Sequence, residues 1–446
     1  MDMEELELNI IGGGFAGSEA AWQAAQRGIK VNLFEMKPEK RSPAHHSDDL
    51  AEVVCSNSLG SLSEGSSSGL IKKELRMLNS LIVEAAEATK VPAGNALAVD
   101  RDLFSKYVTE KIENHPLITI HRKEATEIDL SKVNIICTGP LTSEAMTKEL
   151  SKITGEEYFH FFDAAAPIVE HDSLNLDIIF PQSRYDKGDG VYLNCPFSKE
   201  EYELFWNELV KAELAPVKNF DDYEANKNFF EGCMPIEVLA KRGADTPRFG
   251  PMKPVGLTDP RTERRPYAVV QLRQDNAAAS LYNLVGFQTQ LKWGDQKRVF
   301  RLIPGLENAE FVRFGVMHRN AYINSPKLLE PTLQLRKHPN IFISGLLTGV
   351  EGYIESCAMG ALAGINAALY LQNKTLLKLP KTTMMGALSQ YVSNPEITKN
   401  FQPINSNWGI IEPLEERIRD KKQKQLIYTE RGLKAFEETI KEFNIV

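Results

Sequence analysis

The chain has 446 residues, 42% of them hydrophobic and 25% charged, with a formal net charge of −8. That is the balance of a globular protein long enough for two or three domains, and it excludes a disordered or fibrous chain. The acidic excess argues against non-specific nucleic-acid binding but permits a local basic face.

The N-terminal Met1-Asp2-Met3-Glu4-Glu5 is acidic, unlike an export signal, and no run of eighteen apolar residues reads as a membrane span. Residues 8–11 are β-prone and run into Gly12-Gly13-Gly14-Phe15-Ala16-Gly17. A helical run over 18–27 follows, then a stop at Gly28, a second strand over 31–34, and an acid, Glu35. In a dinucleotide-binding unit the first glycine allows the strand-to-helix turn. The second lets a pyrophosphate approach the backbone, and the third lets helix and strand pack closely. The helix N-terminus offers free N–H groups to phosphates. Glu35 suits the ribose hydroxyls and disfavours a 2′-phosphate. Gly12, Gly13, Gly14, Phe15, Ala16, Gly17 and Glu35 are therefore candidate cofactor residues, for FAD or NAD alike.

Residues 56–69 are rich in Ser and Gly and predict a mobile loop. Helical spacing over 70–89 predicts one or two helices. A short apolar run at 134–137 ends in Thr138-Gly139-Pro140. Strand-like runs at 166–170, 191–194, 268–272 and 284–287 predict an inserted domain, with an ordered loop over 250–265. Residues 340–345 read as a buried strand ending in glycine. Thr348-Gly349-Val350-Glu351-Gly352-Tyr353 and an Ala- and Gly-rich helix to Leu371 come next, and 417–424 predicts a solvated charged helix. The late strand–glycine–helix unit resembles the second FAD-contacting segment of two-part flavoproteins. It favours FAD and adds Gly349, Glu351 and Gly352 to the cofactor residues. The expected fold is α/β: a Rossmann-type FAD-binding domain closed by both chain ends, with an inserted mixed α+β domain. Residues 1–165 form its first part, 166–300 the inserted substrate domain, and 301–446 the second part with C-terminal helices.

Five cysteines, Cys55, Cys137, Cys195, Cys233 and Cys357, are odd in number and lack metal-ligand spacing. They read as free thiols in a reducing cytoplasm, with no metal site. Arg261, Arg264 and Arg265 with Tyr267, and Lys297, Arg298 and Arg301, are candidate phosphate contacts, although a charge run is usually a solvated face.

Longer strings are more specific. They include Val53-Val54-Cys55-Ser56-Asn57-Ser58-Leu59, Ala98-Val99-Asp100-Arg101 and Cys233-Met234-Pro235-Ile236-Glu237. Further along come Phe249-Gly250-Pro251-Met252-Lys253-Pro254, Gln271-Leu272-Arg273, Gly286-Phe287-Gln288-Thr289 and Gly315-Val316-Met317-His318-Arg319-Asn320. Together they resemble the folate- and FAD-dependent tRNA (uracil-5-)-methyltransferases over nearly the whole chain. The wobble-uridine flavoproteins share the general plan but are longer.

The resemblance implies that 5,10-methylenetetrahydrofolate gives one carbon, FAD reduced by NADPH or NADH gives electrons, and a uridine in RNA becomes 5-methyluridine. The usual target is the T-loop uridine of tRNA; ribosomal RNA is the alternative. No membrane and no obligate protein partner is implied. Uracil C5 is a poor nucleophile until a thiolate adds at C6, which is covalent catalysis. The resemblance places Cys233 in that role and Cys55 near the flavin as a helper, and the two could exchange roles. Phe287, His318 and Arg319 are the candidate folate residues, since aromatic or imidazole stacking suits a pterin. The competing readings are a flavin oxidoreductase acting on a small molecule and an RNA-binding flavoprotein without catalysis.

Overall fold

A computed structural model describes residues 6–42, 44–156, 159–186, 192–216, 234–399 and 401–445. The apolar run at the start forms strand β1, Glu7–Ile11, and the glycine turn leads into helix α1, Phe15–Ala25. The helix starts three residues earlier than its sequence pattern, because Gly14 already serves as its N-cap. Strand β2, Lys30–Glu35, returns parallel to β1 with Leu8 beside Val31 and Ile10 beside Leu33.

Val133–Ile136 lies on the other side of β1, and His338–Ile343 lies beyond it, both parallel. Ile118–Arg122 closes one edge beside β2, and Gln334–Leu335 closes the other antiparallel. Both chain ends thus build one six-stranded sheet, as the late strand–glycine–helix unit predicts. Parallel central strands are covered on both faces, which is why they read as continuous apolar runs.

The helix Tyr353–Leu371 is the one described helix long and apolar enough to cross a membrane, and 89% of its apolar window is buried inside the protein. It packs on α1 through small residues. A Cβ on Gly360 would lie 2.2 Å from Ala16 O, and one on Gly364 would lie 2.4 Å from Ala20 O. Backbones this close leave no room for a side chain. Gly364→Ala is therefore expected to cost about 1–3 kcal/mol, read as a lower denaturant midpoint with an unchanged slope.

A second six-stranded sheet is antiparallel. Its order is Phe180–Gln182, Tyr192–Phe197, Ala268–Gln274, Leu281–Leu284, Ile168–Glu170 and Phe311–Arg313. Its core runs from Ala166 to Ala309, with Phe311 packed on it, so the inserted sheet takes its last strand from beyond residue 300. The run at 284–287 is only partly strand: pairing stops at Leu284, and Gly286 turns the chain at φ +77°.

Residues 56–69 are not a plain loop. Ser58–Ser61 pairs with Ala96–Val99, and Ser66 caps the helix Ser67–Met77 by accepting from Gly69 N. A serine-rich composition suits a cap as well as a loop. The helical spacing over 70–89 resolves into two helices, Ser67–Met77 and Leu81–Ala88. The charged tail leads into a long helix, Lys421–Glu442, capped by Asp420.

Candidate active site

A cleft opens above β1, lined by Gly12 to Ala16, Glu35, His45 and Gly139 among others. The glycines have distinct reasons. Gly12 has φ +103°, and a Cβ there would lie 2.4 Å from Cys137 O. One on Gly17 would lie 1.8 Å from Gly12 O, while one on Gly14 would meet nothing within 4 Å. The chain itself requires the first and third glycines. The space beside the second is left for a ligand.

Glu35 is buried at the end of β2 and holds the turn. Its Oε2 accepts from Gly13 N at 3.0 Å and its Oε1 from Lys37 N at 3.0 Å. Neither Gly14 nor Gly352 caps its helix with a side chain, and the α1 N-terminus keeps backbone donors for a ligand. Ser356 also lines the cleft, and its buried hydroxyl has no partner among the described residues. His45 pairs with Ser42 Oγ at 2.5 Å; burial, then nearby Lys37, pushes its pKa below the ordinary value. Free N–H groups, an unpaired hydroxyl, a carboxylate and a gap beside Gly14 fit a dinucleotide such as FAD.

Three arginines gather where the two sheets meet. Arg101 Nη1 donates to Val53 O at 2.7 Å, and Arg313 Nη2 donates to Val54 O at 3.0 Å. Arg273 donates to Ser56 Oγ at 2.6 Å and to Asn57 Oδ1 at 2.9 Å. They form a collar around half-buried Cys55, whose own N–H donates to Tyr353 Oη at 2.8 Å. Tyr353 stacks on Phe15 at 4.4 Å, and Val54 and Tyr353 both line the cleft, so Cys55 stands at its edge. Asp275 forks onto Arg101 at 2.8 and 3.1 Å. Burial opposes the Arg101 charge, but Asp275 outweighs it and raises the pKa above the ordinary value. Burial pushes Arg273 and Arg313 the other way. Positive charge around a thiol favours its thiolate.

A family model described as glucose inhibited division protein A matches residues 7–375. The methylenetetrahydrofolate–tRNA-(uracil-5-)-methyltransferase TrmFO of Desulforamulus reducens is 55% identical over 443 residues, 99% of each chain. That of Pelotomaculum thermopropionicum is 57% identical over 436 residues, covering 97% of this chain and 99% of the relative. The chain belongs to the TrmFO family. Among solved structures, Aquifex aeolicus GidA superposes with a TM-score of 0.68 at 17% identity, covering 98% of this chain and 78% of that one. That likeness concerns the fold.

Within this TrmFO-family chain the expected site residues fare differently. Gly12 to Ala16 and Glu35 line the cleft, and Gly17 packs beneath it. Gly349, Glu351 and Gly352 are not in its wall; Gly345, Leu346, Tyr353 and Ser356 take that place. Gly349 has φ +84°, with the Phe401 ring where a Cβ would point, and Glu351 N donates to Ile404 O. These residues shape the turn into the helix rather than the cleft surface.

Phe287 corrects a sequence expectation. Its ring is fully buried between Phe205 and Phe300 in the second core, with no face to offer a pterin. Cys233 lies outside the described residues, as do the side chains of His318 and Arg319. The backbone of Met317–Tyr322 pairs with Phe159–Ala164. Cys137, Cys195 and Cys357 are buried, and burial pushes each thiol pKa up, away from reactivity. No cluster of metal-ligating side chains occurs among the described residues.

Sequence reading missed the collar as a unit. One signal was present: Gln271 and Arg273 alternate with Val270 and Leu272 along a single strand, and all four are buried. Two long polar side chains on one face of a buried strand mark a seam rather than a core.

Proposed function

We propose that this protein methylates C5 of a uridine in RNA, the T-loop uridine of tRNA, taking the carbon from 5,10-methylenetetrahydrofolate. The observation that carries the reading is a dinucleotide cleft with a cysteine at its edge inside an arginine collar, in a chain aligned end to end with relatives named for this reaction. Bound in the cleft, FAD supplies the electrons that bring a methylene to the methyl level, NADPH or NADH being the reductant. Glu35 would hold the ribose and the α1 N-terminus the pyrophosphate.

The chain's own chemistry is nucleophilic. A thiolate from Cys233 adds to uracil C6, and the electron pair moves onto C5, which attacks the one-carbon unit as its bond to the folate nitrogen breaks and the folate amine leaves. Loss of the C5 proton expels the thiolate and restores the ring. Cys55 serves as base or second thiol, held in register by Arg101, Arg273, Arg313 and Tyr353. His318 and Arg319 serve the folate. Residues 166–300, completed by the strand Phe311–Arg313, act as the inserted substrate domain between the cofactor-holding portions on either side, and the protein works in the cytoplasm, where its thiols stay reduced.

The test supplies labelled methylenetetrahydrofolate, NADPH and an unmodified tRNA transcript. Wild type is expected to form 5-methyluridine, with Cys233→Ala falling to background. Label in ribosomal RNA alone would keep the chemistry and change the substrate. NADPH consumption with neither RNA labelled would overturn the reading in favour of a small-molecule oxidoreductase.

A further inference from the structure

The stretch from Lys241 to Tyr267 carries seven lysines and arginines against three acids, a local net charge of +4 on a chain of −8. Two of the acids are spent internally: Asp245 pairs with Arg248 at 2.5 Å and Asp259 with Arg261 at 2.8 Å. Lys253, Arg264 and Arg265 are exposed and have no ion pair among the described residues. The other basic run is different. Arg298 is held by Asp295 and Glu208, and Lys297 and Arg301 by Glu310, so that face is already neutralised.

An aromatic ring stands in the unneutralised patch. Phe249 is 80% exposed, the highest value among the large hydrophobic side chains described. The Arg248 guanidinium lies 3.6 Å from the Tyr267 ring centroid and 5.9 Å from that of Phe249, which sets Phe249 next to the Arg264–Arg265 segment. The scaffold beneath is fixed. Met252 is fully buried, its N–H donates to Pro247 O at 2.8 Å, and its carbonyl accepts from Val269 N at 3.0 Å. Tyr267 N donates to Phe197 O at 2.9 Å, and Asp259 N to Arg264 O at 2.9 Å. An ordered patch of unpaired cations around an exposed ring suits single-stranded nucleic acid, whose phosphates meet the cations while a base stacks on the ring.

The patch is physically joined to the candidate active site. Tyr267 leads directly into the strand Ala268–Gln274, and Arg273 on that strand reaches Ser56 and Asn57 beside Cys55. Six residues of extended chain span about 20 Å, so one rigid element ties the patch to the collar.

We propose that Phe249 with Lys253, Arg264 and Arg265 forms an anchoring surface for the RNA substrate, about 20 Å from the reacting uridine, holding phosphates and one unstacked base. The proposal rests on the RNA-modifying reading above. The experiment compares holoenzymes of wild type, R264E/R265E, F249A and R298A for binding of an unmodified tRNA transcript across a salt series, alongside NADPH oxidation without RNA.

The expected result is at least about tenfold weaker binding for R264E/R265E, with a salt slope shallower by about two. Weaker binding without a slope change is expected for F249A, and neither effect for R298A. NADPH oxidation without RNA should match wild type throughout, which shows that the variants are folded and loaded. Unchanged binding in R264E/R265E while wild type binds tRNA would overturn the surface and leave the RNA reading standing. Wild type that binds no RNA would overturn both. Capture of wild type, but not R264E/R265E, by phosphatidylserine vesicles in place of tRNA would reassign the patch to a membrane and overturn the proposal.

Discussion

Gly14→Ala is expected to weaken FAD binding by roughly tenfold to a hundredfold while leaving the unfolding midpoint of the apoprotein unchanged. Gly17→Ala is expected to damage the fold itself. The difference follows from what a Cβ would meet. At position 14 it points into open space of the cleft, where a cofactor pyrophosphate would lie, so only the holoprotein feels it. Crowding of this kind costs about 1–3 kcal/mol, and each 1.4 kcal/mol is tenfold in affinity. At position 17 it lies 1.8 Å from Gly12 O and 3.3 Å from Cys137 Cβ, so helix α1 must lift off the sheet. Backbone cannot move aside as a side chain can, and a loss of about 3 kcal/mol or more follows. Flavin-fluorescence titration and urea unfolding of the apoproteins separate the two. Unimpaired FAD binding by Gly14→Ala would show that no pyrophosphate rests against this turn.

Breaking the Arg101–Asp275 pair has the second large effect. The two side chains are 12% and 2% exposed, and the contact is a two-pronged fork. Asp275→Ala would leave a guanidinium buried beside two other cations, and removing one partner of such a pair costs about 3–5 kcal/mol. That is a large fraction of the roughly 5–15 kcal/mol that holds a typical protein folded. The double variant Arg101→Met with Asp275→Leu is expected to recover much of the loss, since it removes the stranded charge as well as the pair. Urea midpoints measure both. A loss below about 1 kcal/mol for Asp275→Ala would mean the pair is solvated and does not set the seam. Because Arg101 also holds Val53 O, two residues before Cys55, the double variant should lower methyl transfer even though stability is regained.

The pair also explains why an otherwise ordinary string was so specific. Asp100 caps the helix Arg101–Glu113 by accepting from Asp102 N and Leu103 N, and its other oxygen accepts from Ala277 N in the turn between two strands of the inserted sheet. Asp100 and Arg101 are therefore a joint between two sheets. In the chain they stand only as part of the string Ala98-Val99-Asp100-Arg101.

By itself the sequence determined the cofactor cradle, because its parts are neighbours in the chain. Gly12, Gly14, Gly17 and Glu35 are set by a strand, a turn and a helix whose spacing follows from backbone geometry alone. The apolar runs at 134–137 and 340–345 marked two buried strands, but only the resemblance of the late strand–glycine–helix unit to two-part flavoproteins implied that both chain ends share one sheet. Tertiary structure decided whatever depends on residues far apart. Arg273 meets Asn57 across 216 positions, and Tyr353 meets Cys55 across 298. Phe287 went into a core that Phe205 and Phe300 complete, and the cleft wall fell to Gly345 and Ser356 instead of Gly349 and Glu351. Local spacing fixes which way a side chain leaves its own strand or helix. What it meets there depends on how the sheets pack, and no local pattern carries that information.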